Sequence, residues 1–249
     1  MAAEKKACAL CLKKKTLLRS HIIPRSFFRM AKSGESYLLK LEEDGCPRGD
    51  NADLKERLLC AQCEEFLNVS YERESVAFLT GRSKKEVIRS ERGVTLVGLD
   101  YRKLYLFWLS VFWRAGVSGL PEFRAVEAAG ELWDIFRVCI ISNDTKISGV
   151  DISDFVCISM ARSVFLSDEN GGSRGMISNI QRVRGDGVGF VLLVCGLVVH
   201  FGINTSQGAG VPKDFTRIRD TNFLRLKSLN PYTSEVMESV VSSLFHSIK

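Results

Sequence analysis

Two Cys-x-x-Cys pairs, Cys8/Cys11 and Cys60/Cys63, with a lone Ser20-His21-Ile22-Ile23-Pro24 between them, are the residues whose types and spacing can do chemistry. Two thiols two residues apart are presented to one ion by a single tight turn, and four thiols together complete a tetrahedral zinc site. Forty-eight residues separate Cys11 from Cys60, so the ion would staple two distant segments of chain. A four-thiolate site has no open position for water or substrate, which makes the zinc itself structural. A lone histidine between the two pairs has no obvious purpose in a bare staple.

The elements that must position these residues are legible in outline. Lys13, Lys14 and Lys15 form a turn that leads into an extended segment ending near Ser20 and His21. Pro24 biases Ile23 to extended backbone, and residues 25–31 continue as a short helix carrying Phe27, Phe28 and Met30. Arg25, Arg29 and Lys32 fall at helical spacings there and can line a phosphate-facing side. Residues 42–53 are rich in Gly, Asp and Asn, contain Pro47, and are expected to form a loop. Residues 54–59 lead into the second thiol pair. A helix then runs through Glu64, Glu65, Phe66, Leu67, Asn68 and Tyr71, with Glu64 and Asn68 one turn apart on one face.

Charge sharpens the picture. The chain carries a formal +6, but residues 1–40 hold ten Lys or Arg against two Glu, and residues 41–80 hold ten Asp or Glu against four Lys or Arg. A basic lobe made of Lys13, Lys14, Lys15, Arg19, Arg25, Arg29 and Lys32 beside a metal module points to a polyanion, most simply nucleic acid. The alternative is a solvated, lysine-rich surface. The first residues lack the apolar core of a signal peptide, so the expectation is a cytoplasmic protein whose thiols serve as metal ligands rather than disulfides. The longest apolar run, residues 190–199, is too short to cross a bilayer, so no membrane association is expected.

The order Cys-x-x-Cys, Ser-His-Ile-Ile-Pro, Leu-Leu-Cys-x-x-Cys-Glu, then Asn resembles the zinc-stapled branch of the HNH nucleases. It also resembles a group of largely uncharacterised bacterial proteins with the same knuckles and a later Phe112-Trp113-Arg114 segment. The resemblance implies a treble-clef, or ββα-metal, module. In it His21 would be the general base, while Glu64 and Asn68, and Ser20 upstream, would stand at positions that help to bind a catalytic magnesium or manganese ion. The sequence departs from the pattern at three places: no Asn stands at Lys55 or its neighbours, Asn51 lying farther upstream, and Ser20 and Glu64 replace common imidazole ligands. The other reading of His21 is a buried histidine hydrogen-bonded inside a knuckle.

Beyond residue 80 the sequence reads as scaffold, giving an α+β protein with a zinc-binding module over 1–80 and a larger α+β domain over 81–249, helices first and mainly antiparallel strands after. Residues 83–92 are strongly charged and suit a linker or helix start. Residues 100–115 form a buried amphipathic helix with Arg102, Lys103 and Arg114 at its ends, whose stripe, Trp108 included, is core rather than a stacking surface for bases. Pro121 starts a helix running to about Phe136. Strands are expected at 138–142, 154–159, 163–167, 189–195 and 197–203, the last two joined as a hairpin at Cys195-Gly196; 168–175 is a loop and 234–248 a terminal helix carrying His246. Cys139, Cys157, Cys195 and His200 read as core residues. No phosphate-binding loop, nucleophile elbow or dinucleotide fingerprint is present. Two functions fit: a metal-dependent nuclease, or a non-catalytic zinc module that binds nucleic acid or a partner protein.

Overall fold

The computed structural model describes residues 5–31, 39–41, 47–49, 54–126, 130–163, 176–183, 188–203, 211–229 and 234. The first thiol pair lies in a short hairpin of β1 (Lys6–Ala7) and β2 (Lys14–Lys15), and β3 (Leu17–His21) follows at once. Pro24 ends the extended run as the sequence predicts, and α1 (Arg25–Ala31) buries Phe27 and Phe28 while Arg25 and Arg29 face solvent. Within the expected loop, residues 47–49 form β5 (Pro47–Gly49), which pairs antiparallel with β4 (Leu39–Leu41). Proline is tolerated there because it opens a strand at the edge of its sheet. The rest of that stretch, with Cys46 and Asn51, lies outside the described residues.

β6 (Lys55–Cys60) runs back along β3, with Leu17 opposite Cys60 and His21 opposite Lys55. The second thiol pair opens α2 (Ala61–Leu67), which passes through a π-helical turn, Asn68–Glu72, into α3 (Arg73–Leu79). The chain stays in the right-handed helical region across both junctions.

The charged residues 83–92 contain β7 (Val87–Ser90), a strand rather than a linker or helix start, hairpinned to β8 (Gly93–Val97). β7 is an edge strand, where charged side chains are favoured over a continuous apolar pattern. α4 (Tyr101–Val117) begins as predicted, the Asp100 carboxylate accepting from the Lys103 amide at 3.1 Å. It is more than amphipathic: every residue from Leu104 to Gly116 is buried. The residues after Pro121 form a 3-10 turn, Pro121–Val126, and Gly130 at φ 78° precedes a separate helix, α5 (Leu132–Ser142). The expected strand at 138–142 is the end of α5. Its β-branched run suggested a strand, but Phe136, Cys139 and Ile140 bury one helical face, and tertiary packing overrides local preference.

The second half is strand-rich, as predicted. β9 (Lys146–Ile147) and β10 (Val150–Asp151) form a small hairpin. β11 (Val156–Ser163), β12 (Met176–Ser178), β13 (Gln181–Val183), β14 (Val188–Val194), β15 (Leu197–Ile203), β16 (Thr216–Arg217) and β17 (Phe223–Leu229) build a sheet with β4, β5, β7 and β8. Its order is β5-β4-β12-β14-β15-β11-β17-β8-β7, with β13 on β14 and β16 on β11. All pairings in it are antiparallel except β4 with β12 and β11 with β17. The β14–β15 turn is Cys195-Gly196, at φ 50° and 77°, the two positive angles of a tight hairpin turn. The predicted segments 164–167, 168–175 and 235–248, with His246, lie outside the described residues.

One apolar cluster runs from Cys8, Leu10 and Leu17 through α1 and α4 to the sheet. Trp108 stacks on Phe27 at 5.9 Å between ring centroids and Phe112 on Phe201 at 4.6 Å, so α4 joins α1 to the sheet. Each such fully buried side chain contributes about 1.5–3 kcal/mol by leaving water. Trp108, Trp113, Cys139, Cys157 and Cys195 are all core residues. No helix among the described residues is long and apolar enough to cross a membrane.

His200 is also buried, its Nδ1 3.4 Å from the Ser159 hydroxyl, and desolvation pushes its pKa down to about 4. The folded state resists protonation while the unfolded chain titrates near 6.5. The stability this gives is complete above the unfolded value and is lost as pH falls from about 6.5 towards 4. That window is worth about 3 kcal/mol. Urea melts at pH 7 and pH 4.5 should show the loss in wild type and a smaller one in His200→Gln; equal losses would remove His200 as the cause.

Candidate metal centre

The four predicted thiols meet. Cys8, Cys11, Cys60 and Cys63 place all four sulfurs within 4.8 Å of one another, with Cys11 Sγ and Cys60 Sγ 3.9 Å apart. A tetrahedron with metal–sulfur bonds of about 2.3 Å has edges of about 3.8 Å, so the cluster has the size that a zinc ion requires. Local folding explains why. The Cys8 amide donates to Lys13 O and the Leu12 amide to Cys8 O, closing a turn in which Leu12 takes φ 60° and both thiols face inward. The Ala9 amide donates to Leu58 O and Arg137 Nη1 to Leu10 O, fixing this turn against β6 and α5. Cys60 ends β6 in extended backbone and Cys63 sits on the first turn of α2, so strand end and helix start present one thiol each.

The electrostatics fit a cation as well. Burial pushes the Cys8 and Cys63 thiols up, Cys63 most strongly, and neighbouring sulfurs add to the effect at Cys63. At the more open Cys11, burial opposes ionisation but is outweighed by the Lys13 amide and the other thiols, which bring it down to about 7. The Cys60 amide, 3.3 Å from Cys8 Sγ, is a donor aimed at a sulfur that carries charge when ligated. A divalent cation deprotonates coordinating thiols on binding, so it would favour the charged form at Cys8 and Cys63, where burial alone opposes it.

The residues around the cluster fall into different settings. Ser20 is buried, and its hydroxyl accepts from the Leu59 amide at 3.1 Å beside the irregularity between Leu18 and Arg19, so it is occupied in holding the β3–β6 ribbon. His21 closes β3, half-buried, with its ring 6.3 Å from that of Phe28. Glu64 is half-buried on α2, and its enclosed Oε1 has no hydrogen-bond partner among the described residues. Asn68 is exposed, where the helix widens into the π turn. Among the described residues no second set of three or more His, Cys, Asp or Glu side chains is close enough to hold a cation.

Of the basic residues, Lys13, Lys14, Arg19, Arg25 and Arg29 are exposed, and no ion pair joins any of them among the described residues. Lys15 is half-buried and donates to Gln62 Oε1 at 3.0 Å. Lys32 lies outside the described residues.

The sequence reading missed three partners. Arg57 stands directly across the ribbon from Arg19, also exposed. Arg114, expected at a helix end, is 1% exposed; Nη1 donates to His21 O at 2.9 Å, Nη2 lies 2.8 Å from Glu72 Oε1, and Nε donates to Ser110 O at 3.3 Å. The signal available was an arginine inside an otherwise apolar run. Glu72, in the π turn, is the third. A cavity of about 530 Å³ is lined by Leu132, Ile135, Ile147, Val150, Ile152 and Phe155 among others, and among the described residues it holds no side chain able to ligate a metal or carry a proton.

No family model, no curated protein and no solved structure matches this chain.

Proposed function

We propose that this protein is a zinc-stapled nucleic-acid-binding protein. Its N-terminal knuckle, two-stranded ribbon and thiol-bearing helix would form a treble clef of the ββα-metal kind. The observation that carries this reading is the pair Arg19 and Arg57. Like charges directly opposite on a ribbon repel each other, and the arrangement becomes favourable when an anion lies between them. Lys13, Lys14, Arg25 and Arg29 are exposed as well and form no ion pair among the described residues. Zinc, held by Cys8, Cys11, Cys60 and Cys63, fixes the register of the ribbon and takes no part in chemistry, because four thiolates fill its coordination sphere.

Fluorescence anisotropy with a labelled duplex should show binding at low salt that weakens linearly on a logarithmic salt scale, by about 0.9 per phosphate contacted. Replacing Arg19 and Arg57 with Ala should lower that slope by about 2. Absence of binding at low salt would remove the reading.

Phosphodiester hydrolysis with His21 as base is a second reading, favoured by the enclosed, unpartnered Glu64 oxygen on the helix that carries Cys63. The described side chains do not assemble a magnesium or manganese site, so this reading rests on His21 and Glu64. His21→Ala should then abolish any cleavage measured with added magnesium or manganese while leaving zinc content unchanged. Equal inactivity of wild type and variant on DNA and RNA would leave binding alone.

A further inference from the structure

Ten large apolar side chains stand exposed among the described residues, and three of them, Ile135, Val150 and Phe155, at 41%, 52% and 51%, line one cavity of about 530 Å³. Single exposed apolar residues need no explanation, but three that converge on one concavity do. The local folding puts them there. On α5, Leu132 and Ile135 are three residues apart and share a side of the helix. In the β9–β10 hairpin, Ile147 and Val150 are cross-strand partners on one face, joined by a two-residue turn in which Ser148 and Gly149 take φ 52° and 83°. Ile203, the last residue of β15, completes the lining beside Phe155.

These walls are fixed by polar bonds. The Ile152 amide donates to Thr145 O at 2.8 Å and the Phe155 amide to Ile152 O at 3.0 Å. The Asp151 carboxylate accepts from the Ser153 amide at 2.9 Å, and Arg217 Nη2 donates to Ser153 O. A cavity with walls held in this way is preformed, and a ligand entering it has little left to order.

Size and chemistry say what it takes. Its volume of about 530 Å³ lies within the range of small-molecule sites, roughly 300–1,000 Å³. A stable protein interface draws on about 20–30 residues a side, and the seven described side chains of this lining fall far short of that. The apolar surface does not run on: Asp134, Lys146 and Asp154, next in sequence to Ile135, Ile147 and Phe155, are exposed and charged. No described lining side chain can hydrogen-bond water, so an apolar group displaces water there without losing a bond to those side chains. A charged head group inside would find no partner among them. We infer that the cavity between α5 and the β9–β10 hairpin binds a neutral, apolar small molecule. This goes beyond the nucleic-acid-binding reading and does not rest on it.

The test is titration of the full, zinc-loaded chain with N-phenylnaphthylamine, a neutral apolar dye that fluoresces when it leaves water, followed by competition with decanol. Wild type should bind one dye per chain saturably, decanol should displace it, and decanol should raise the melting temperature. Ile135→Glu and Val150→Glu, one from α5 and one from the hairpin, should each weaken dye binding at least tenfold by placing a charge in the apolar lining. Both positions are exposed, and thermal melts check that the variants fold. Ile88→Glu, at an exposed apolar residue outside the cavity, should leave dye binding unchanged. Duplex binding should be the same in all three variants, so its presence or absence bears on the ribbon alone. Lack of saturable dye binding in wild type overturns the inference, and so does affinity unchanged in both cavity variants. A wild-type dimer that either cavity variant dissociates overturns it in favour of a second copy on this surface. Wild-type sedimentation with phosphatidylcholine vesicles that both cavity variants abolish overturns it in favour of a lipid surface.

Discussion

Serine at Cys63 should abolish metal binding and unfold the N-terminal region. Cys8, Leu10, Leu17, Leu59 and Cys63 belong to the same apolar cluster as α4, yet β1, β2, β3 and β6 are two to six residues long, and their register depends on four sulfurs drawn together. Structural zinc sites of this donor set contribute about 10–16 kcal/mol in apparent terms, far more than the net stability of a domain. Removing one thiolate forfeits most of that and leaves three thiols, too few to close a structural site. Circular dichroism and limited proteolysis should show the region before Leu79 cut first, and chelator should reproduce the effect in wild type. Cys157→Ser, at a buried thiol outside the cluster, should keep the metal. A Cys63→Ser variant with native proteolytic resistance would show that the core holds the region unaided.

Arg114→Met should cost about 3–5 kcal/mol, the range for breaking a buried ion pair from one side. Glu72, whose side chain is only 18% exposed, would lose its guanidinium partner, and His21 O would lose the Arg114 donor. Lysine should not rescue, because Ser110 O, His21 O and Glu72 lie in three directions that a planar guanidinium reaches at once and an ammonium does not. Urea denaturation reads the difference, and Glu72→Gln in the Arg114→Met background should cost less than it does alone. A loss below about 0.5 kcal/mol would show that Arg114 is not the link between the ribbon and α4.

Much of this was legible because local rules and packing agree. Pro24 sets the start of α1, Cys195-Gly196 sets the β14–β15 turn, and the thiol spacing sets the cluster. What was hidden depends on contacts between distant segments. Residues 138–142 are β-branched, yet a face of Phe136, Cys139 and Ile140 packs as helix. The charges of 83–92 hide an edge strand whose partner lies just beyond it. Arg114 looked like a helix-end cation because nothing near it in sequence announces His21 or Glu72 as partners. The pairing of Arg19 with Arg57 follows from the register shift after Leu18, which no local pattern states. The donor set was legible from spacing alone, and four thiolates favour a metal such as zinc over oxygen-ligated ions.

Zinc content is the most direct measure of the account, because the ribbon, its charge and the position of His21 all depend on the staple. Elemental analysis of protein purified without chelator should find one zinc per chain in wild type and none in Cys11→Ser, Cys60→Ser or Cys63→Ser. Wild-type protein without zinc, or serine variants that retain one full equivalent, would contradict it.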